Sequence, residues 1–255
     1  MRLLTTHLTN CDWPGKIEAN GVEKLKGNFM DFVVQTINDL HDEIVATITA
    51  SIEAVELATG SFIWKQVQDI AGEDLHRILQ REFPRAEIIV ATSKSSYPDV
   101  KLILNEMQCA IDIKSAKIQR SPSYDMGRLE NYEEDHFCVY LEEWELLVQY
   151  DEEAGRLTRV FFAPVREFVG YSPRCDGVTF RLYDGQIRPK IWSDFINEVV
   201  YWPSPERFIE GVRNSLNYSQ MLGMRSAIPN LTPAQKAELR LLLDAVEFEP
   251  DEEDL

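Results

Sequence analysis

Residues 97–117 read YPDVKLILNEMQCAIDIKSAK. Two apolar runs lie inside this stretch, Val100 to Leu104 and Cys109 to Ile113, with Asn105-Glu106 between them. The pattern predicts a β-hairpin with a short loop. Asp99 stands where the first strand begins. Asp112 and Lys114 lie two apart on the second strand and so project from one face. The hairpin folds Asp99 back towards that face. Charged groups at the edge of an otherwise buried strand are costly unless they hold a metal or each other.

Two carboxylates in that arrangement suit a hard divalent cation such as Mg²⁺, which takes oxygen ligands and retains several waters. The backbone carbonyl of Ile113 supplies a further oxygen. Lys114 is placed to orient or activate a water, or to stabilise charge on a phosphate, because an ammonium beside a cation and a phosphate is tunable. The chemistry implied is metal-assisted hydrolysis of a phosphodiester. The plainer reading of the same residues is an amphipathic hairpin with a surface ion pair, which contributes little.

Pro98-Asp99 followed by Asp112-Ile113-Lys114 resembles the PD-(D/E)XK nuclease signature. The flanks, Ser96-Tyr97-Pro98-Asp99 and Ala110-Ile111-Asp112-Ile113-Lys114-Ser115, are similar to the corresponding segment of EcoRV-like type II restriction endonucleases. The resemblance covers the hairpin and is faint elsewhere. It implies an α/β fold, with a central mixed β-sheet flanked by helices and a C-terminal helical segment. It implies Mg²⁺-dependent cleavage of a specific double-stranded DNA sequence, with Mn²⁺ as a substitute. Asp99 and Asp112 would bind metal with the Ile113 carbonyl, and Lys114 would assist the attacking water. A carboxylate from the preceding helix would complete the site, Asp69 first and Glu73 second. A homodimer follows if a palindrome is cut on both strands. Two rivals stay open: a repair or recombination nuclease that reads DNA structure, and a non-catalytic acidic module that binds protein or mimics DNA.

The chain has 255 residues, 44% of them hydrophobic, enough for one large domain with a substantial core. No apolar run is long enough for a transmembrane helix, and no signal peptide is evident. Cys11, Cys109, Cys138 and Cys175 are scattered, so reduced thiols and a cytoplasmic location are expected. The net charge of −17 runs against simple nucleic-acid binding, since phosphate neutralisation dominates DNA affinity. Part of that charge sits in the tail over 247–255, expected to be disordered.

The remainder reads as a single nuclease domain over 1–246. Trp13-Pro14-Gly15 signals a turn, and an N-terminal helical region spans about 21–83. Phe29, Phe32, Val33, Ile37 and Leu40, then Ile44, Ile48 and Ile52, recur at helical spacing. Ala58-Thr59-Gly60 ends the second helix. A third over 62–83 has Ile63, Val67, Ile70, Leu75, Ile78 and Leu79 on its apolar side, and Pro84 stops it. Glu87 to Thr92 is a strand leading into Lys94, Ser95 and Ser96, which suit phosphate or groove contacts. Lys117 and Arg120 form a local basic segment beyond the hairpin, and Arg128 and Tyr132 extend it. His136 to Tyr150 contains at least one core strand, with Phe137, Val139 and Leu141 alternating. Glu142, Glu143 and Glu145 read as its solvated edge. Arg159 to Phe162 and Glu167 to Tyr171 resume strand character.

Turn signals bracket a strand over 178–182, and the hairpins of about 171–192 gather Arg174, Arg181, Gln186, Arg188 and Lys190. Arg and Gln read guanine and adenine by paired hydrogen bonds, so Gln186, Arg188 and Lys190 are the expected sequence readers, with Arg174 and Arg181 behind them. Pro205 opens a helix, and Thr232-Pro233 caps a last one over 234–246.

Overall fold

The structure is a computed structural model that describes residues 31–55, 63–91, 97–129, 140 and 142–227. The turn at Trp13-Pro14-Gly15, Phe29, Ala58-Thr59-Gly60, Lys94, Ser95, Ser96, Tyr132, Phe137, Val139, Leu141, the helix expected over 234–246 and the acidic tail lie outside these residues. The elements run as α1 (31–39), α2 (His41–Glu53), α3 (Ile63–Glu82), β1 (Glu87–Val90), β2 (Val100–Leu104), β3 (Met107–Lys117), β4 (Glu143–Asp151) and β5 (Arg156–Pro164). The short pairs β6 (Tyr171–Ser172) with β7 (Gly177–Val178) and β8 (Phe180–Arg181) with β9 (Gln186–Ile187) come next. Helices α4 (Trp192–Ile196) and α5 (Pro205–Ala227) follow.

The five-stranded sheet has the order β1-β2-β3-β4-β5. Only β3 and β4 run parallel; the other neighbours are antiparallel. This is a mixed sheet flanked by helices. The β2–β3 hairpin closes at the expected loop, with Leu104 opposite Met107. Asn105 (φ 50°) and Glu106 (φ 69°) both take the left-handed conformation. A two-residue hairpin turn needs that geometry because its twist matches that of the strands. Asn tolerates it better than Glu does.

Strand alternation gives the sheet two differently used faces. Val100, Leu102, Ile111, Ile113, Trp144, Leu146, Val148, Val160 and Phe162 pack on one face against α2 and α3. Those helices contribute Ile44, Ile48, Ile52, Val67, Ala71, Leu75, Ile78 and Leu79, close to the apolar stripes read from the sequence. Gly72 sits where α3 crosses the sheet; a Cβ there would lie 3.2 Å from Val90 and 4.0 Å from Ile113. Trp144 spans this core, and its indole N–H donates to Asn38 Oδ1 at 3.0 Å.

The other face of β3–β5 supplies Ala116 and Leu147, with Phe161 and Ala163 packed alongside. They meet Phe168, Val178, Ile187, Phe195, Trp202, Phe208 and Val212. The strand expected over 167–171 is instead a 3₁₀ turn, Val165–Glu167, followed by β6. The strand expected over 178–182 divides into β7 and β8 because Val178 pairs with Tyr171 while Phe180 pairs with Ile187. Cys109 is buried and Cys175 half-buried, both as free thiols. Burial first, then the charge of Glu142, pushes the Cys109 thiol up to about 12, which keeps it protonated. Among the described residues, no helix is long and apolar enough to cross a membrane.

Candidate active site

The apolar face of β3 turns Ile111 and Ile113 into the helical core, so Asp112 and Lys114 project from the opposite face. The β2 ladder ends at Val100, opposite Ile111. Two residues further along β3, the Ile113 N–H has outrun its partner strand. The Asp99 carboxylate accepts that N–H through Oδ2 at 2.7 Å and so extends the ladder with a side chain. The Gln68 amide, reaching from α3, donates to Asp99 Oδ1. Both oxygens of Asp99 are thereby oriented, and the residue is only 6% exposed.

Asp99 and Asp112 lie within hydrogen-bonding reach of each other. Burial first, and then the Asp112 charge, pushes the Asp99 carboxyl up to about 7. Lys114 Nζ contacts Asp112 Oδ2 at 2.7 Å. Burial works to lower the Lys114 pKa, but Asp112, Glu145 and Asp99 together outweigh it and the net shift is upward. The ammonium is therefore charged at neutral pH.

The parallel register between β3 and β4 brings in a further group. Asp112 stands directly beside Glu145, and Ala110 beside Glu143. Glu145 is 1% exposed, and the Tyr124 hydroxyl donates to its Oε1. Burial pushes the Glu145 carboxyl up to about 8, with Asp112 adding to the rise and Tyr124 and Lys114 opposing it. Burial, then the Glu143 charge, raises the Tyr97 hydroxyl. Glu142 forms a separate ion pair with Arg166 at 2.6 Å. The Glu142–Glu145 segment is thus no solvated edge. Its carboxylates are turned inwards because Trp144 and Leu146 occupy the other face. The alternation of Glu143 and Glu145 with Trp144 and Leu146 was the signal for this, a strand with one polar face.

The donor set here is hard oxygen, which matches a divalent cation of the Mg²⁺ type. A buried carboxyl and a half-buried one held against each other, the first with a strongly raised pKa, are what such a cation would relieve. A residue of an extended strand points its N–H and C=O to the same edge. The Ile113 carbonyl therefore lies on the edge where Asp99 takes the Ile113 N–H. Among the described residues, no group of three or more His, Cys, Asp or Glu side chains is already arranged as a metal cage. The fit is that of a site with few protein ligands, which Mg²⁺ uses when waters and substrate oxygens supply the rest.

No protein-family model matches the chain, and no curated protein sequence matches it. Among solved structures, the chain is similar to the NlaIV restriction endonuclease, at 19% identity and a TM-score of 0.44, over 71% of this chain and 70% of that one.

The other candidate residues are placed variously. Asp69 and Glu73 are exposed on α3; the helix presents Gln68, one position earlier, to Asp99. Lys117 pairs with Glu152. Arg120 is exposed, and its carbonyl accepts the Trp192 indole N–H at 2.6 Å. Arg174 is exposed. Arg181 pairs with Asp184 and lies 4.5 Å from the centroid of the Tyr183 ring. Gln186 is half-buried, and its backbone bridges to Arg128. Arg188 donates to Ser123 Oγ at 2.6 Å.

Lys190 corrects the expectation of a base-reading side chain. It is 6% exposed, donates to the Val199 carbonyl at 2.9 Å, and sits 4.7 Å from the centroid of the Phe195 ring. Burial lowers its pKa. Its ammonium holds the loop after α4 and does not reach outwards.

Proposed function

We propose that this chain is a Mg²⁺-dependent endonuclease that hydrolyses phosphodiester bonds in double-stranded DNA at a specific sequence, as a cytoplasmic homodimer of the type II restriction kind. The observation that carries the reading is the meeting of Asp99, Asp112 and Lys114 on one sheet face. The position just before β2 supplies Asp99, which is buried, and β3 supplies the other two, which are half-buried. Asp99, Asp112 and the Ile113 carbonyl would hold the cation, Mg²⁺ or Mn²⁺. When bound, it supplies charge neutralisation at the phosphoryl group and a more acidic water. Lys114 keeps its proton near neutral pH and offers a positive charge to the phosphate oxygens that gain negative charge in an in-line displacement. The exposed or half-buried Arg120, Arg174, Gln186 and Arg188 are the groups for phosphate and base contacts.

A nuclease that reads DNA structure is the second reading. Burial of Lys190 and the pairing of Arg181 with Asp184 favour it, because they reduce the set of side chains free to read bases. Plasmid and genomic DNA digestion separates the two. Discrete fragments that require Mg²⁺ and Lys114 support sequence-specific cleavage, whereas nicking or smearing with the same requirements supports structure reading. Absent cleavage together with absent Mg²⁺ binding in calorimetry overturns both and leaves the binding-module reading.

A further inference from the structure

Asp112 has two calls on one carboxylate. It holds the Lys114 ammonium at 2.7 Å, and in the nuclease reading it also binds the cation. A carboxylate drawn to a divalent ion gives up much of its attraction for a neighbouring ammonium, since the ion's own charge dominates the local field. Lys114 must then be held by something else, or its flexible stem lets the charge wander. The neighbouring strands leave one group suited to this. Glu145 lies beside Asp112 in register, on the face that carries Lys114. It is buried to 1% exposure and clamped through Oε1 by the Tyr124 hydroxyl. Glu145 and Lys114 lie close enough to act on each other electrostatically.

We propose that Glu145, fixed by Tyr124, is a positioning residue that takes over the Lys114 ammonium when Asp112 engages the cation. The inference rests on the nuclease reading and extends it to one residue of β4 and one of the segment that follows β3. Tyr124 sets the rotamer of Glu145, Glu145 sets the place of Lys114, and neither touches the phosphate. No bond is made or broken by either residue. Replacing the carboxyl with an amide of the same shape should release Lys114 only in the metal-loaded state, because an amide N–H₂ cannot accept from the ammonium and Asp112 still holds it in the free state.

The test uses the full chain without DNA, with and without saturating Mg²⁺, and follows the rate at which an amine-reactive reagent modifies Lys114 by peptide mass spectrometry. Glu145→Gln should leave Mg²⁺ affinity in calorimetry close to wild type. It should raise Lys114 labelling about tenfold with Mg²⁺, the scale of a lost hydrogen bond to a charged group, and leave it unchanged without Mg²⁺. With DNA, kcat should fall about 100-fold at an unchanged KM, as for a displaced reacting group. Tyr124→Phe should show the same metal-dependent pattern in weaker form, and it carries the test if Glu145→Gln does not fold. Labelling that rises equally with and without Mg²⁺ indicates a merely structural role and overturns the inference, as does labelling that does not change. A wild-type protein that binds no Mg²⁺ overturns the nuclease reading, and the inference with it. Normal Mg²⁺ binding with unaltered labelling overturns the inference alone.

Discussion

Raising the pH of the metal-free protein from about 5.5 to about 7 should destabilise it by about 2–4 kcal/mol. Glu145 has an ordinary value of 4.5 and is pushed up to about 8 in the fold, while Asp99 rises from 3.8 to about 7. Both folded values lie above the unfolded ones. Across this window the folded chain therefore binds protons that the unfolded chain has released, and stability must fall as pH rises. Each such carboxylate contributes a slope of about 1.4 kcal/mol per pH unit. Carboxylates with depressed pKa values, such as Asp151 and Asp184, are ionised throughout the window and leave the slope unaltered. Urea denaturation in a chelator at several pH values measures it, with Glu145→Gln expected to remove about half the slope. Saturating Mg²⁺ should flatten or reverse the curve, because a cation favours the ionised carboxylates. Metal-free stability that is flat or rises over this interval would refute the placement of these carboxyls in a buried, mutually repelling cluster.

Four other substitutions follow from the geometry. Glu106→Gly places the residue best suited to φ 69° at the hairpin turn and should raise stability by about 0.5–1 kcal/mol in denaturant titration. Gly211→Ala puts a Cβ 2.4 Å from the buried Trp202 ring and should cost about 1–3 kcal/mol, seen as a lower melting temperature. Lys190→Ala removes the ammonium that holds the Val199 carbonyl; stability should fall by about 1.5–3 kcal/mol, with DNA affinity of the folded fraction unaltered. Arg188→Ala should do the reverse, keeping stability near wild type while weakening DNA binding in a salt-dependent filter assay and reducing the salt slope by about one if the contact is to phosphate.

The hairpin was legible because its evidence is local. Two runs of period two and an intervening Asn-Glu pair define strand, turn and register within twenty-odd residues. The stripe of α3 was legible for the same reason, since residues a turn apart must share a face. Groups whose neighbours come from distant chain segments were less so. Glu145 joins Asp112 only through the parallel pairing of β3 and β4, which no local pattern specifies. Read alone, three glutamates near the start of a strand look solvated. The partner of Asp99 on α3 is Gln68, while Asp69 is exposed, because one residue turns a helix by about 100° and the phase relative to the sheet is set by packing. Lys190 lies in a segment rich in Arg and Gln and resembles its neighbours. Only the fold brings the Val199 carbonyl and the Phe195 ring to it. The short strands β6–β9 were blurred because two-residue pairings carry almost no periodicity.

The most direct measurement of the central claim is cleavage of plasmid and genomic DNA by wild-type protein and by Lys114→Ala, each with Mg²⁺ and with chelator. The account predicts discrete fragments from the wild type with Mg²⁺, none with chelator, and a loss of at least about 100-fold in rate for the variant, whose metal affinity should persist. Cleavage by the variant at the wild-type rate, or cleavage independent of divalent metal, would contradict it.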